Sequence, residues 1–248
     1  MSESARYDGR SADELSAMLD LPRVVVHDEL PSTQDEAHAL GDAGAPPGTL
    51  VLADGQVAGR GRGGRSWRSS GGAGIWMTLL ERPSDPAAAG VLSLRMALRM
   101  APVLDRWTSA MVQVKWPNDL HVKGRKLAGL LTEARWRGGR LEWVAIGVGI
   151  NTRLPEGLDA ASLEPGADRV SVLAELLPVM RAAAAASGTL SSAELARFAD
   201  RDATAGRRCL EPARGIAAGI TSDGALIIRN DGGAQTVVLG SLVLEELA

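Results

Sequence analysis

Cysteine is nearly absent from this 248-residue sequence, and long apolar runs and broad positive charge are absent too. The single cysteine, Cys209, excludes an internal disulfide, and no paired Cys/His spacing suggests a zinc site. The polar stretch 1–14 lacks the apolar core of a signal peptide, and no uninterrupted apolar run reaches the length of a bilayer span. We therefore expect a cytoplasmic protein without a membrane partner. The net charge of −3 argues against the global basic field of non-specific nucleic-acid binders.

The hydrophobic pattern predicts an α+β chain that is divided into two units. All six tryptophans lie between Trp67 and Trp143, and the β-rich tail after Ala205 has none, so we expect units at 1–203 and 204–248. The first helix after a strand is expected to open on a capping box formed by Thr33 and Glu36. Helices are predicted at 11–19, 33–40, 91–107, 170–186 and 192–201, and strands at 23–27, 48–56, 74–80, 111–115, 119–122, 127–136 and 141–150.

An arginine- and glycine-rich segment, 59–68, is the most informative part of the chain. It carries four arginines, and no carboxylate occurs between Gln56 and Leu80. Glycine permits close backbone approach to a ligand, and arginine matches phosphate or carboxylate oxygens two at a time. The segment therefore favours binding and release of a small anion, although a solvated surface loop would share the composition. Its G-x-G-x-x-G pattern is not followed by a helical pattern, so a dinucleotide-binding turn is not expected.

Three further motifs carry candidate site residues. In Lys115-Trp116-Pro117-Asn118-Asp119, the proline keeps the preceding residue out of the helical region, which places two polar side chains on a turn. A plain hairpin-closing Asx turn would look the same. The segments 125–133 and 145–151 read as strands, and their internal glycines predict close approach of a ligand or another backbone.

In this order and spacing, the motifs resemble those of the biotin protein ligases. The matching segments are Ser32-Thr33-Gln34, 59–67, 115–119, 125–131 and 147–151. The resemblance implies an α+β fold: a class II synthetase-like catalytic domain, with a mixed sheet flanked by helices, and a small SH3-like β-barrel C-terminal domain. It implies activation of biotin by ATP, with Mg²⁺, to biotinyl-5′-AMP, and transfer to a lysine of a biotin carboxyl carrier protein domain. About twenty residues precede the strand at Arg23, so we expect no DNA-binding domain, no specific DNA binding, and a monomer or weak homodimer.

The resemblance also implies roles for individual residues. The catalytic set is Lys126, Arg60, Arg62 and Asp119, with Asp119 also a candidate magnesium ligand. The residues expected to bind biotin are Ser32, Thr33, Gln34, Gln56, Arg60, Gly61, Arg62, Lys126, Gly129, Gly147 and Gly149. The residues expected to bind the nucleotide are Arg62, Arg65, Trp67, Lys115, Asn118 and Asn151, with Trp67 stacked on the adenine.

Two departures from the family pattern leave alternatives open. Gln34 stands where the family most often has Asn, and the stretch between Arg207 and Gly219 leaves little room for the first hairpin of the C-terminal domain. A lipoate or octanoate ligase of the same superfamily is one alternative, and it would need a longer apolar tunnel. An RNA-binding module that uses the Arg/Gly segment and stacks bases on Trp67 is another.

Overall fold

The computed structural model describes residues 5–154 and 157–245, which form two sheets and five α-helices. The helices are α1 (Ala12–Met18), α2 (Thr33–Asp42), α3 (Leu92–Leu104), α4 (Arg169–Ala185) and α5 (Ser192–Arg201). The strands of the large sheet are β1 (Arg23–Leu30), β2 (Thr49–Gln56), β3 (Gly74–Glu81), β4 (Gln113–Lys115), β5 (Asp119–Val122), β6 (Arg125–Arg137) and β7 (Arg140–Asn151). Those of the tail sheet are β8 (Arg208–Glu211), β9 (Gly215–Ile220), β10 (Leu226–Asn230), β11 (Gly233–Val237) and β12 (Val243–Leu244).

The large sheet is mixed, as the resemblance implied. Its strand order is β1-β2-β3-β7-β6-β5-β4, in which β1 and β2 are parallel and the other neighbours are antiparallel. Strand β7 lies at the centre, between β3 and β6, which agrees with its apolar sequence. The predicted turn at Gly138 and Gly139 joins β6 to β7, and both glycines have positive φ.

Both faces of the central strands are buried, and alternate side chains separate two cores. On β2, Leu50 and Leu52 belong to the main core, whereas Val51 and Ala53 belong to a smaller cluster on the opposite face. Helices α3 and α4 pack together and line the main core. Helix α2 packs on β2, β3 and β7 over the smaller cluster. The large sheet is therefore covered by helices on both sides.

The tail sheet is antiparallel and shares the main core. Its strand order is β11-β10-β9-β8-β12, and in the described part of the tail the outer strands β11 and β12 do not pair with each other, so the sheet is open. Cys209, Leu226 and Ile228 belong to the same buried cluster as α3 and β7. Trp116, on the turn after β4, donates its indole N–H to the Gly224 carbonyl at 2.9 Å. The two sheets are thus joined by apolar packing and by a buried hydrogen bond.

Two expectations from the sequence were wrong in detail. Strands β8 and β9 do form the tail's first hairpin, because three residues suffice to connect them. Ser32, not Thr33, caps α2: its hydroxyl accepts from the Gln34 N–H, while the Thr33 hydroxyl points to Gln56.

The helical segment Pro86–Trp107 is long and apolar enough for a membrane span by composition. Most of it is buried in the core, and Arg95 and Arg99 interrupt its apolar run.

Candidate active site

A pocket lies on the face of the large sheet that α2 covers, beyond the N-terminus of that helix. On this face of β7, Trp143 and Ala145 pack under α2, and the next two residues of the same alternation are Gly147 and Gly149. Gly149 pairs with Gly129 of β6, and Gly147 pairs with Thr78 of β3. Beyond the end of the helix, these positions of β7 carry only a hydrogen atom as side chain, which leaves a cavity of about 150 Å³ above the strands.

One end of the pocket is a buried polar turn. Ser32, Thr33 and Gln34 are each less than 5% exposed, although all three carry polar side chains. The Gln34 amide donates to the Ala145 carbonyl at 3.2 Å and to Glu133 Oε2 at 3.1 Å, and its oxygen accepts from Thr78 Oγ1. Because these buried polar groups are hydrogen-bonded, they form a rigid polar surface at this end of the pocket.

Gln56 ties this turn to the end of the arginine segment. Its side-chain oxygen accepts from the Thr33 backbone N–H at 2.8 Å, and its Nε2 donates to Ser69 Oγ at 2.6 Å. Thr33 Oγ1 also accepts from Thr78 Oγ1 at 2.9 Å. Strand β2, helix α2 and the segment after Trp67 are therefore held in one hydrogen-bonded chain at the rim of the pocket.

The arginine segment folds as a narrow hairpin across the pocket. Arg60 and Ser66 are bridged, the Gly61 N–H donates to the Arg65 carbonyl, and the Trp67 N–H donates to the Gly59 carbonyl at 2.7 Å. A Cβ on Gly59 would lie only 2.4 Å from the Trp67 carbonyl oxygen, so the two sides can approach only through glycine. The hairpin lies over the cavity as a cover.

Three of the four arginines of this segment, Arg60, Arg62 and Arg65, have different partners. Arg60 donates to Asp35 Oδ1 and to Glu133 Oε1, both at 2.7 Å. Arg62 Nη1 donates to Asn118 Oδ1 at 3.2 Å, and Arg65 donates to Ser241, just before β12. Arg62 and Arg65 both line the pocket and have no carboxylate partner among the described residues.

The glycines Gly129, Gly147 and Gly149 form the floor of the pocket, and the Trp67 ring packs on two of them. A Cβ on Gly149 would lie 2.4 Å from the indole Nε1, and one on Gly129 would lie 2.9 Å from the ring. The ring meets Trp76 edge-on at 6.5 Å, and the Lys126 ammonium lies 4.9 Å from its centroid. The indole N–H is buried and has no hydrogen-bond partner among residues 5–154 and 157–245. Trp67 thus presents an aromatic ring and a free donor inside the pocket.

The other end of the pocket is cationic. Lys126 Nζ lies 2.9 Å from Asp119 Oδ1, and Lys115 pairs with Asp119 across the β4–β5 ladder. Burial lowers the pKa of Lys115, although the nearby Asp119 carboxylate opposes that shift. Burial likewise lowers the pKa of Arg62. These cations outnumber the Asp119 carboxylate, so this end is suited to anions.

The described residues do not form a metal cage. No group of three or more His, Cys, Asp or Glu side chains comes together within ranges 5–154 and 157–245. Asp119, the predicted magnesium ligand, is the one carboxylate among the residues found to line the pocket, and it is paired with Lys126. A Mg²⁺ ion would therefore need phosphate oxygens as its further ligands.

The structure brings most of the predicted site residues together. Those that line the pocket are Ser32, Thr33, Gln34, Gln56, Arg60, Gly61, Arg62, Arg65, Trp67, Asn118, Asp119, Lys126, Gly129, Gly147 and Gly149. Lys115 and Asn151 are not among the lining residues. The Asn151 amide donates to the Ala161 carbonyl at 3.0 Å, and the Ala161 N–H donates to the Lys126 carbonyl at 2.9 Å. Asn151 therefore holds the backbone beside Lys126.

Sequence reasoning missed three polar residues of the site. Thr78 bonds Thr33 and Gln34, Ser69 bonds Gln56, and Glu133 bonds Gln34 and Arg60. Thr78 could have been found, because it is the one polar residue in the interior of an apolar strand that is buried along its length and ends at Glu81. Ser69 and Glu133 gave no comparable local signal.

Comparison with known proteins points to one family. The sequence profile of the Biotin/lipoate A/B protein ligase family matches residues 28–151. The chain is 36% identical to the biotin–[acetyl-CoA-carboxylase] ligase of Paracoccus denitrificans over 229 residues, which cover 83% of this chain and 94% of that protein. It is 39% identical to the bifunctional ligase/repressor BirA of Bacillus subtilis over 166 residues, 62% of this chain. The chain spans about half the length of that relative, 51%.

The fold is also similar to solved structures. The biotin protein ligase from Aquifex aeolicus in complex with biotin and ATP superposes with a TM-score of 0.74. The superposition covers 92% of this chain and 100% of that one, at 23% sequence identity. At this identity the likeness establishes the fold.

Proposed function

Because the chain belongs to the biotin/lipoate A/B protein ligase family, we propose that it is an ATP-dependent biotin protein ligase. It activates biotin with ATP to biotinyl-5′-AMP. It then transfers biotin to a specific lysine of a biotin carboxyl carrier protein domain. Two relatives, from Paracoccus denitrificans and Mycobacterium tuberculosis, are named biotin–[acetyl-CoA-carboxylase] ligases, which supports this reaction.

The main support for the proposal is the distribution of polar and charged side chains along the pocket. One end is the buried turn 32–34, and the other holds Lys126 and Arg62. The glycine floor connects the two ends. Biotin has a ureido ring that exchanges hydrogen bonds, an apolar body and a carboxylate at the end of its chain. We place the ring at the turn, the body over Gly147 and against the Trp67 indole that covers Gly149, and the carboxylate at the cations.

In the first half-reaction, a biotin carboxylate oxygen attacks the α-phosphorus of ATP and the bond to the β-phosphate oxygen breaks. Two anions must meet, so the main contribution of the protein is positive charge that is fixed before reaction. Lys126 and Arg62 supply it at the pocket, and Arg60 orders the hairpin from its rim. We place the adenine against Trp67, with Asn118 and Arg65 beside the phosphates and Lys115 and Asn151 supporting that end from outside the lining.

In the second half-reaction, the amine of the acceptor lysine attacks the acyl carbon, loses a proton and expels AMP. We assign Asp119 to assist that proton loss, since it is the carboxylate at the cationic end. Mg²⁺ enters with ATP as part of the substrate. The covering hairpin keeps water from the mixed anhydride between the two steps.

The rest of the chain is assigned by the same resemblance. We propose that 1–203 is the catalytic domain and that 204–248 is a small SH3-like domain; both spans extend beyond the described residues. The open five-stranded tail sheet is compatible with that architecture. We further propose a cytoplasmic enzyme, monomeric or weakly dimeric, that does not bind specific DNA sequences.

The two alternatives are less well supported. A lipoate or octanoate ligase would need a long apolar tunnel, whereas polar and charged side chains close both ends of this pocket. An RNA-binding module would present the Trp67 ring to solvent and leave the arginines free of carboxylate partners. Instead, Trp67 packs on glycines and Arg60 is paired with two carboxylates.

Biotin-dependent ATP–pyrophosphate exchange tests the proposed function directly. We expect exchange that requires biotin and is not supported by lipoate or octanoate at the same concentration. Incorporation of labelled biotin into a purified carrier domain would then establish the second step. Exchange with lipoate but not with biotin would replace the proposal by the lipoate alternative, and salt-sensitive RNA binding without exchange would support the RNA-binding module.

Replacing Arg62 by glycine should weaken retention of the adenylate more than its formation. Arg62 reaches across the pocket to Asn118, so its loss opens the cover while Lys126 remains in place. We expect release of biotinyl-5′-AMP to accelerate about tenfold or more, the effect of losing one charge-assisted hydrogen bond. A filter-binding chase measures release, and single-turnover synthesis measures formation. Unchanged release in this variant would exclude the cover role.

A further inference from the structure

Glu133, on β6, contacts two parts of the site at once: the buried turn 32–34 and the arginine hairpin. Its Oε2 accepts from the Gln34 amide at 3.1 Å, and its Oε1 accepts from Arg60 Nη2 at 2.7 Å. Gln34 belongs to the buried turn, and Arg60 belongs to the covering hairpin. Glu133 also lies beside a second cavity, of about 420 Å³, on the outer side of that hairpin. The proposed reaction does not use this carboxylate.

We propose that Glu133 is a positioning residue that couples seating of the arginine hairpin to the biotin-binding turn. The inference rests on the proposed function, because it takes the turn as the site of the ureido ring. Each oxygen of the carboxylate serves a different partner, so the two contacts exist at once. A ligand that orders Gln34 also fixes Glu133, and Glu133 fixes Arg60 and the hairpin that carries it.

The surroundings of Glu133 favour this coupling over a plain surface ion pair. The side chain is 28% exposed, so water weakens its contacts less than at an open surface. His38 Nε2 lies 2.9 Å from Oε2 and meets Trp143 edge-on, which limits the movement of the carboxylate. Arg60 has a second anchor in Asp35 of α2. The hairpin is therefore held by β6 and α2 together.

Glutamine at position 133 tests the coupling because it keeps the shape and removes one acceptor. A carboxamide replaces one of the two oxygens by an NH2 donor, so in this geometry either Gln34 or Arg60 faces a donor instead of an acceptor. For Glu133→Gln we expect biotinyl-5′-AMP release about tenfold faster and a biotin KM raised by a similar factor. Single-turnover formation at saturating biotin and ATP should stay within about threefold, since no group at the cationic end changes.

Glu142→Gln is the matched control. Glu142 lies on the neighbouring strand β7, pairs with Arg137 at 3.3 Å and is 29% exposed, nearly the value for Glu133. It does not line the pocket. We expect wild-type release and KM for this variant, with a similar melting temperature for both glutamine variants.

Arg60→Gln, alone and combined with Glu133→Gln, completes the experiment. If Glu133 acts through Arg60, the double variant should release the adenylate no faster than the faster single variant within about twofold. Independent effects that multiply, or unchanged release and KM in Glu133→Gln beside an active wild type, would overturn the coupling. A wild-type protein that makes no biotin-dependent adenylate would instead refute the proposed function, and the inference with it.

Discussion

Replacing Lys126 by methionine should lower biotinyl-5′-AMP formation by at least ~10²-fold, the cost of removing one oxyanion stabiliser. Lys126 is the cation that meets both Asp119, at 2.9 Å, and the Trp67 ring, at 4.9 Å, so it stands where carboxylate and phosphate must meet. Methionine keeps an unbranched apolar stem against the glycine floor and removes only the charge. The measurement is single-turnover adenylate formation, with thermal unfolding recorded for the same samples.

Lys123→Met is the control for this experiment. Lys123 lies on the turn between β5 and β6, exposed, and its ammonium donates to Ser109 at 3.3 Å outside the pocket. We expect near-normal synthesis from this variant. Near-normal synthesis from Lys126→Met as well would show that the charge of Lys126 is not needed, and Arg60, Arg62 and Arg65 would then be the remaining cations that line the pocket.

Replacing Gly149 by alanine should reduce biotin-dependent exchange by about 10²-fold, because about 1 Å of misplacement in a reacting site has effects of this size. A Cβ at this position would lie 2.4 Å from the Trp67 Nε1 and 2.5 Å from Cε2. Real Cβ atoms do not come so close, so the indole must leave the floor. Exchange and calorimetric melting, measured together, separate this local displacement from unfolding.

Two further variants sharpen the result for Gly149. Gly90→Ala adds the same methyl group where no atom lies within 4 Å, and it should leave exchange unchanged. Trp67→Phe combined with Gly149→Ala provides a smaller ring and should restore part of the lost biotin-dependent exchange. Full exchange by Gly149→Ala alone would mean that Trp67 need not occupy the floor.

Much of this architecture follows from local sequence. The apolar alternation of β2 and β3 and the turn at Gly138 are local signals, and they placed the strands within a few residues. The glycines of β6 and β7 predicted close approach of a ligand or another backbone, whereas the structure shows side chains there: Gly129 and Gly149 contact Trp67, and Gly147 contacts the amide of Gln34. A missing side chain in the middle of a buried strand is informative because the sheet would otherwise fill that space.

Other features depend on partners that are remote in sequence. Glu133 reads as the polar end of a strand, and its role emerges only when Gln34, 99 residues away, reaches it. The expected capping box at Thr33 was wrong because two adjacent hydroxyl residues compete for the cap, and Gln56 and Thr78 engage one of them. The β8–β9 hairpin was missed because Gly215, at φ 153°, lets the second strand start directly after a three-residue connection.

The Trp116 indole connects the tail sheet to the segment that carries Asn118 and Asp119. A tail of about forty residues cannot bury enough apolar surface to fold alone. Its Leu226 and Ile228 complete a core that begins at α3, and the Trp116–Gly224 hydrogen bond fixes it beside Asn118 and Asp119. The tail and the cationic end of the pocket therefore share one core and one buried hydrogen bond. Damage to the last strands would destabilise both together.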